Sequence, residues 1–242
     1  EQKEYFKDTK VVDEKGNPKV VYHGTTEDFD TFEKGDIGFH FGTQEQANSR
    51  LEALASETSQ PKDTTVVING KRYKTTKSQS KESIIPVYLN IKNPLRMPDI
   101  ANWNSNEVSQ TLEQFYPNDF KGLNDDLVDF EIEGTSLYKE EYDYDLGAME
   151  SDQIDHIKKK ILEKGYDGIV YSNQYEATSS QGLTMFQRTT KSLDKFGEDS
   201  YIAFKPEQIK SVYNQDPKST GRSFSLEPTY FSTATRAVDK LS

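Results

Sequence analysis

The chain has 242 residues, enough for one large domain or two small ones; it is 33% apolar and 29% charged, but 14 Tyr and 13 Phe supply the large buried areas of a real core. Its 41 acidic against 30 basic residues give a net charge of −11, which disfavours nucleic acid as a partner, since the richest basic stretch, Lys71 to Lys81, is diluted by Ser, Thr and Gln. The absence of cysteine excludes disulfides, thiolate zinc sites and a cysteine nucleophile, no apolar run reaches transmembrane length, and the N-terminus is charged rather than signal-like.

The start at Glu1, without Met, leads us to expect a piece cut from a longer protein. Residues 1–18 are polar and close on the turn signal Lys15-Gly16-Asn17-Pro18. Lys19 to Tyr22 is a short apolar strand running into His23. Phe29 and Phe32 flank an acidic loop, and Ile37 to Phe41 is a second strand. Thr43 and Gln46 form a capping box for a helix carrying Ala47, Leu51, Leu54 and Ala55 at helical spacing. Val66 to Tyr73, turning at Asn69-Gly70, is the clearest hairpin signal. Ile84 to Ile91 is expected as a central strand, ended by Asn93-Pro94.

Residues 96–150 read differently. Val108, Leu112 and Phe115 predict one short helix stopped by Pro117; the rest is acidic and aromatic, with Asp125-Asp126 and Glu140 to Asp145. We expect an insertion or lobe here, its acidic side either a solvated face or a recognition surface, with Trp103 as its anchor. Ser151 is expected to cap a helix with Ile154, Ile157, Ile161 and Leu162 on one face and Gly165 at its end. His156 and Lys158-Lys159-Lys160 fall on its solvated side. Gly168 to Tyr171 is a strand, Glu176 to Gly197 a long Ser/Thr/Gln-rich loop containing Met185-Phe186, and Ser200 to Phe204 and Ile209 to Tyr213 are strands. The domain is therefore expected over 1–214, with 215–242 a linker or tail in which Thr229 to Leu241 forms a short helix.

Three segments read as one constellation. They are Val21 to Thr26, Gly38 to Thr43, and the pair formed by Tyr166 to Tyr171 and Asp199 to Phe204. The first two place His23 and His40 at the ends of apolar strands beside glycines. A side chain there leaves the sheet, and the glycine lets a ligand approach the backbone. The competing reading for each is a satisfied core histidine.

These residues also carry a family resemblance. The chain has Tyr22-His23-Gly24-Thr25, then Phe29 and Phe32, then His40-Phe41-Gly42-Thr43 with Glu45-Gln46-Ala47. It continues with Val87 to Leu95, Tyr166 to Tyr171 with Asn173 and Glu176, and Ser200 to Phe204 followed by Gln208-Ile209-Lys210-Ser211. In this order the motifs resemble the ADP-ribosyltransferases of the diphtheria-toxin and poly(ADP-ribose) polymerase type. More narrowly, they are similar to the domains of phage and prophage polyvalent proteins and related polymorphic toxins. The resemblance covers roughly residues 8 to 214, with gaps; each motif alone is weak, and six in order are fairly specific.

The resemblance implies an α+β fold: a split β-sandwich with flanking helices and an acidic insertion, holding NAD between two small sheets. It implies that His23 bonds a ribose hydroxyl and that the backbone of Gly24 holds the nicotinamide carboxamide. His40 stands where many relatives stack a tyrosine on nicotinamide, and Thr25, Phe41 and Asn48 complete the NAD contacts. No metal is needed: cleaving the nicotinamide–ribose bond builds positive charge on the ribose, which a fixed carboxylate stabilises.

Two departures stand out. Where relatives have a second aromatic, this chain has Arg50-Leu51, and where they carry the catalytic glutamate it has Ser200. The carboxylate is then Glu176, ranked first for its Asn173-x-x-Glu176 segment, or Glu198, two residues before Ser200. The implied function is transfer of ADP-ribose from NAD to a macromolecule, expected to be protein. The setting would be a bacterial or phage toxin or effector module, with an immunity protein as a further partner. We expect it in the cytoplasm of the producing or target cell, with no membrane contact. The alternatives are a catalytically inactive NAD- or nucleotide-binding module and a structural spacer in a phage polyprotein.

Overall fold

The computed structural model describes residues 2–25, 37–58, 64–68, 71–75, 83–100, 102–128, 146–174, 176 and 191–212. Phe29, Phe32, the Asn69-Gly70 turn, Glu140 to Asp145, Met185-Phe186, Tyr213 and the tail with Thr229 to Leu241 lie outside them.

In chain order the elements are α1 (Gln2–Tyr5), β1 (Val21–Thr25), β2 (Phe39–Phe41), α2 (Gln44–Thr58), β3 (Thr64–Ile68), β4 (Lys71–Thr75), β5 (Ser83–Leu89), β6 (Pro94–Met97), α3 (Ser105–Phe115) and α4 (Pro117–Phe120). A helical stretch over 123–128, α5, follows. Then come α6 (Leu146–Glu163), β7 (Gly168–Ser172), β8 (Asp199–Ala203) and β9 (Ile209–Ser211). One sheet has the order β1-β5-β9 and a second β2-β8-β7-β6, while β3 and β4 pair as the expected hairpin.

Alternation along the strands sorts the side chains into two apolar clusters. Val21 of β1, Ile85, Val87 and Leu89 of β5, and Ile209 of β9 meet Phe39 and Phe41 of β2 and Tyr201 and Ala203 of β8 in one of them. Residues of both sheets thus share a core. The intervening residues of the second sheet, Ile169, Tyr171 and Ile202, face the other way. They pack with Ile100, Trp103, Val108, Leu112, Phe120, Leu123, Leu127, Ile154, Ile157 and Ile161. The 96–128 stretch therefore contributes the apolar side of three helices to the larger core.

Most local expectations hold. The capping box forms, with Thr43 N donating to Gln46 Oε1 at 2.7 Å and Gln46 N to Thr43 Oγ1 at 3.2 Å. β5 is the middle strand of its sheet, even though it contains Pro86. Val21, His23 and Thr25 of β1 direct their backbone groups toward β5, so those of Pro86 turn toward β9. Its missing N–H then falls level with Val212, just past the end of β9, where the Val212 amide reaches the Pro86 carbonyl. Gly165, at φ +88°, ends α6: Gly165 N donates to Leu162 O and Tyr166 N to Ile161 O.

Two expectations are corrected. Ser151 is not the cap of α6, which starts at Leu146; Ala148, Met149 and Glu150 favour helix and extend it backward. The Tyr166-Asp167 end of the third segment is structural. Its Asp167 carboxylate accepts from Lys92 N at 2.8 Å and Asn93 N at 2.7 Å, and its carbonyl accepts from Gln208 Nε2 at 2.7 Å. Three of the motifs thus meet there to tie β5, β7 and β9 together, at the end of β7 opposite Tyr171.

Gly24 is demanded by packing. A Cβ built on it would lie 2.6 Å from the carbonyl oxygen of Ala47 and 3.2 Å from Leu51 Cγ, so α2 rides directly on β1. The close approach belongs to the helix on this face. Because the obstacle is backbone, Gly24→Ala is expected to lose about 1–3 kcal/mol, as overpacked cores do, read as a fall in the urea midpoint at unchanged slope.

Candidate active site at the ends of β2, β7 and β8

β2 and β7 run antiparallel to β8, and β6 runs parallel to β7. The last residues of β2, β6 and β7 and the first of β8 therefore share one edge of the four-stranded sheet. His40 and Tyr171 point from it toward the helices, Ser200 is the second residue of β8, and Asn173 and Glu176 follow β7.

The histidines do not sit at strand ends. Each is the middle residue of its strand, and they face opposite ways. His23 shares the parity of Val21 and stands 5.5 Å from the Phe41 ring, toward the core between the sheets. His40 faces Trp103 and Tyr171, at ring separations of 5.7 and 6.4 Å. What joins them is the backbone: His23 Nδ1 lies 2.8 Å from the carbonyl oxygen of His40. A carbonyl only accepts, so Nδ1 carries the proton and Nε2 holds a lone pair. Burial lowers the pKa of His23, while the hydrogen bond to His40 opposes that shift. Burial drives His40 down to about 3, with smaller contributions from His23 and the Arg50 guanidinium. Both rings are therefore neutral at physiological pH.

Gly24 adds a backbone feature. Tyr22 and Gly42 exchange two hydrogen bonds, of 2.9 and 3.0 Å, across the junction of the sheets. Residues two apart in a strand direct their backbone groups to the same side. The N–H and C=O of Gly24 therefore point to the edge of β1 that faces β2 and away from β5.

The two candidate glutamates have opposite surroundings. Glu198 is exposed and paired with Lys19 at 2.7 Å, which holds its carboxyl below the usual range. Its backbone, not its side chain, enters the strand-edge network: Glu198 O receives Asn173 N and Gln46 Nε2, each at 3.4 Å. Glu176 is half-buried, and burial raises its pKa against the opposing hydrogen bond from Asn173 and the Arg50 charge. Asn173 Nδ2 donates to Glu176 Oε2 at 2.8 Å and to Ser200 Oγ at 3.0 Å. Asn173 thus links Glu176 to Ser200, while the Glu198 carboxylate is turned to Lys19.

Of the remaining expected residues, Thr25 and Phe41 are buried, the latter in the core between the sheets. Asn48 is exposed on α2 and shares no hydrogen bond with His40 or Glu176. Trp103, expected as the anchor of an insertion, is buried in the larger core and also walls the site, with its ring 4.8 Å from Tyr171. Tyr171 lies 3.4 Å through its hydroxyl from His40 Nδ1. Burial pushes its phenol well above the ordinary value, so it stays protonated. Buried Asp99 accepts from Gln174 N at 2.7 Å and fixes the exit of β7. His156 of α6 lies 3.3 Å from Asp126 and is tied to α5 rather than to this edge.

Sequence reasoning missed Tyr171, Gln46, Asn173, Asp99 and Trp103 as site residues. One signal was readable. Asparagine three residues before a carboxylate can close a local turn and bond the side chain. The proximity of Asp99 and Trp103 arises from the parallel pairing of β6 and β7, which no local pattern encodes.

These features define an α+β domain with a polar constellation on one sheet edge beneath a layer of helices. A family model described as ADP-ribosyltransferase in polyvalent proteins matches residues 13–219, and the chain belongs to that family. Domains of this kind use NAD as substrate. No curated protein and no solved structure matches the chain. Among the described residues, no group of three or more His, Asp or Glu is arranged to hold a metal ion, and no helix is long and apolar enough to cross a membrane.

The depressed value of His40 has a measurable consequence. Its neutral form is favoured in the fold, so its stability contribution is complete above the unfolded histidine value of 6.5 and is lost as pH falls toward about 3. The ring nitrogens of His40 should show no protonation by NMR down to pH 5. The acid-induced fall in urea midpoint should be smaller in His40→Gln than in the parent. A normal His40 titration near 6.5 would show an imidazole open to water.

Proposed function

We propose that the chain transfers ADP-ribose from NAD to protein, with Glu176 as the carboxylate beside the nicotinamide ribose. The observation that carries this reading is Asn173, whose Nδ2 bonds both the half-buried Glu176 carboxylate and the hydroxyl of Ser200, the position of the glutamate in relatives. Proteins of this class lay NAD in the cleft of a split β-sandwich, and the core shared by the two sheets supports the same architecture here.

The chemistry suits the groups on this edge and on β1 across the junction of the sheets. The nicotinamide ring of NAD is cationic, and a charged imidazole would repel it; His40 is neutral and presents an aromatic face. His23 is the residue that the family resemblance sets against a ribose hydroxyl. Gly24 offers one donor and one acceptor side by side, the pair that a carboxamide needs. As the bond from nicotinamide nitrogen to ribose C1′ breaks, nicotinamide leaves with the bonding pair and positive charge spreads over the ribose. The Glu176 carboxylate stabilises that charge, and its raised pKa fits it to take the proton from the attacking group on the target. Glu198, neutralised by Lys19 in solvent, is poorly suited to either task.

The target class follows from charge. A chain of net charge −11 repels phosphate backbones and favours a basic protein partner. Action as a bacterial or phage effector in the cytoplasm, restrained by an immunity protein, is consistent with polyvalent-protein membership. The second reading, an inactive NAD-binding module, is favoured by Ser200 alone.

The test compares Glu176→Gln with Glu198→Gln, assayed for nicotinamide release and for transfer of labelled ADP-ribose to lysate proteins. Glu176→Gln should lose about 100-fold or more in turnover with NAD binding preserved, as for a group acting on the transition state. Glu198→Gln should stay near the parent. Because the folded carboxyl has a raised value, its contribution to stability is present below the ordinary glutamate range and lost as pH rises through the raised one. Glu176→Gln is thus expected to raise the urea midpoint at pH 7. Loss confined to Glu198→Gln would reverse the assignment, and NAD binding without turnover in the parent would favour the inactive module.

A further inference from the structure

The structure assigns Asn173 as the positioning residue of the Glu176 carboxylate, with Ser200 and Gln46 locking the Asn173 carboxamide in one orientation. This rests on the reading of Glu176 given above. Asn173 is 1% exposed, and its carboxamide bonds Glu176 at two points: Oδ1 accepts from Glu176 N and Nδ2 donates to Glu176 Oε2, each at 2.8 Å. The first bond ties the Glu176 backbone to Asn173. The second holds the carboxylate itself. A carboxamide rotated by 180° would set oxygen against the carboxylate and N–H against N–H, so only one orientation satisfies both.

That orientation is enforced from behind by a chain of bonds with a single polarity. Thr43 N can only donate, so the Gln46 atom that faces it at 2.7 Å is the oxygen. Ser200 Oγ donates to the same oxygen at 3.1 Å, which leaves the hydroxyl lone pairs to receive Asn173 Nδ2 at 3.0 Å. Gln46 and Ser200 are 1% and 2% exposed, so water cannot substitute in these bonds. The direction of every bond is set at the start of α2 and handed across β8 to the exit of β7. Ser200 thus serves as a link to a carboxylate supplied by the neighbouring strand.

Among the described residues, the charged and titratable groups that act on Glu176 are Arg50 of α2, Asp99 after β6 and Tyr171 of β7, beyond which lies His40 of β2. Tyr171 stays protonated and His40 neutral across the working range, and Arg50 and Asp99 are untouched by a change at 173. Removing the Asn173 donor therefore has one predictable sign: the ionised form of Glu176 loses a hydrogen bond, and its titration moves to higher pH.

The experiment compares the parent, Glu176→Gln, Asn173→Ala, Asn173→Asp and Ser200→Ala. It reads nicotinamide release against pH and the Glu176 carboxyl titration by carbon-13 NMR. Asn173→Ala should lower kcat about 100-fold, as misplaced reacting groups do, with little change in KM for NAD. Its acid limb and its Glu176 titration should both move to higher pH. Asn173→Asp should move them further, since a second carboxylate faces the first. Ser200→Ala, which keeps the direct Asn173–Glu176 bond, should lose less activity and leave the titration near that of the parent. An unmoved titration in folded Asn173→Ala and Asn173→Asp, or unfolding of both, would overturn the proposal in favour of a purely structural asparagine. Retained activity in Glu176→Gln would instead sink the reading of Glu176, whatever the Asn173 variants do.

Discussion

Two hydrogen bonds between Tyr22 and Gly42 set the geometry on which the rest of the site depends. They join the edge of the three-stranded sheet to the end of the shortest strand of the other. β2 is only three residues long, so its direction is fixed by this bridge at one margin and by β8 at the other. The bridge lets His23 reach the carbonyl of His40, although the two rings occupy opposite faces. It also turns the polar groups of Gly24 toward the margin that β2 leaves. A shift of one residue at this bridge would exchange His40 for Phe41 on the helix-facing side.

The same junction explains why one short segment, from His40 to Gln46, serves two purposes. Three residues after the imidazole comes Thr43, which caps α2. There the capping box satisfies an otherwise orphaned amide and gives Gln46 its direction. A helix cap is usually a matter of local stability. Here the capping glutamine is buried, and its side chain also meets Ser200 and the Glu198 carbonyl.

How much of this was legible in the sequence depended on the range of the interactions. The capping box, the hairpin strands, the central strand from Ile84 and the αL end of α6 at Gly165 were read from neighbours a few residues apart, and the structure has them. Strand alternation did not reveal that His23 and His40 point to opposite faces, because which face meets the second sheet is decided by strand order. The start of α6 was misread because Ser151 satisfies a capping pattern while the preceding residues also favour helix. Asp167 was grouped with the site, yet it supports the opposite end of β7; a motif is contiguous in sequence, but the two ends of a strand are not neighbours in space. Trp103 was read as an anchor, and its second role became visible only when the parallel pairing of β6 and β7 set Met97 beside Tyr171.

Trp103 is the only tryptophan in the chain. Its indole sits 4.8 Å from Tyr171 and 5.7 Å from His40, with 9% of its surface exposed. All indole emission from this protein therefore originates at the rim of the candidate cleft. Its intensity and colour register the local polarity, the charge on the neighbouring imidazole and any aromatic guest that enters beside it. The fold thus carries a built-in optical reporter at the place where its chemistry is assigned, with no second tryptophan to dilute the signal.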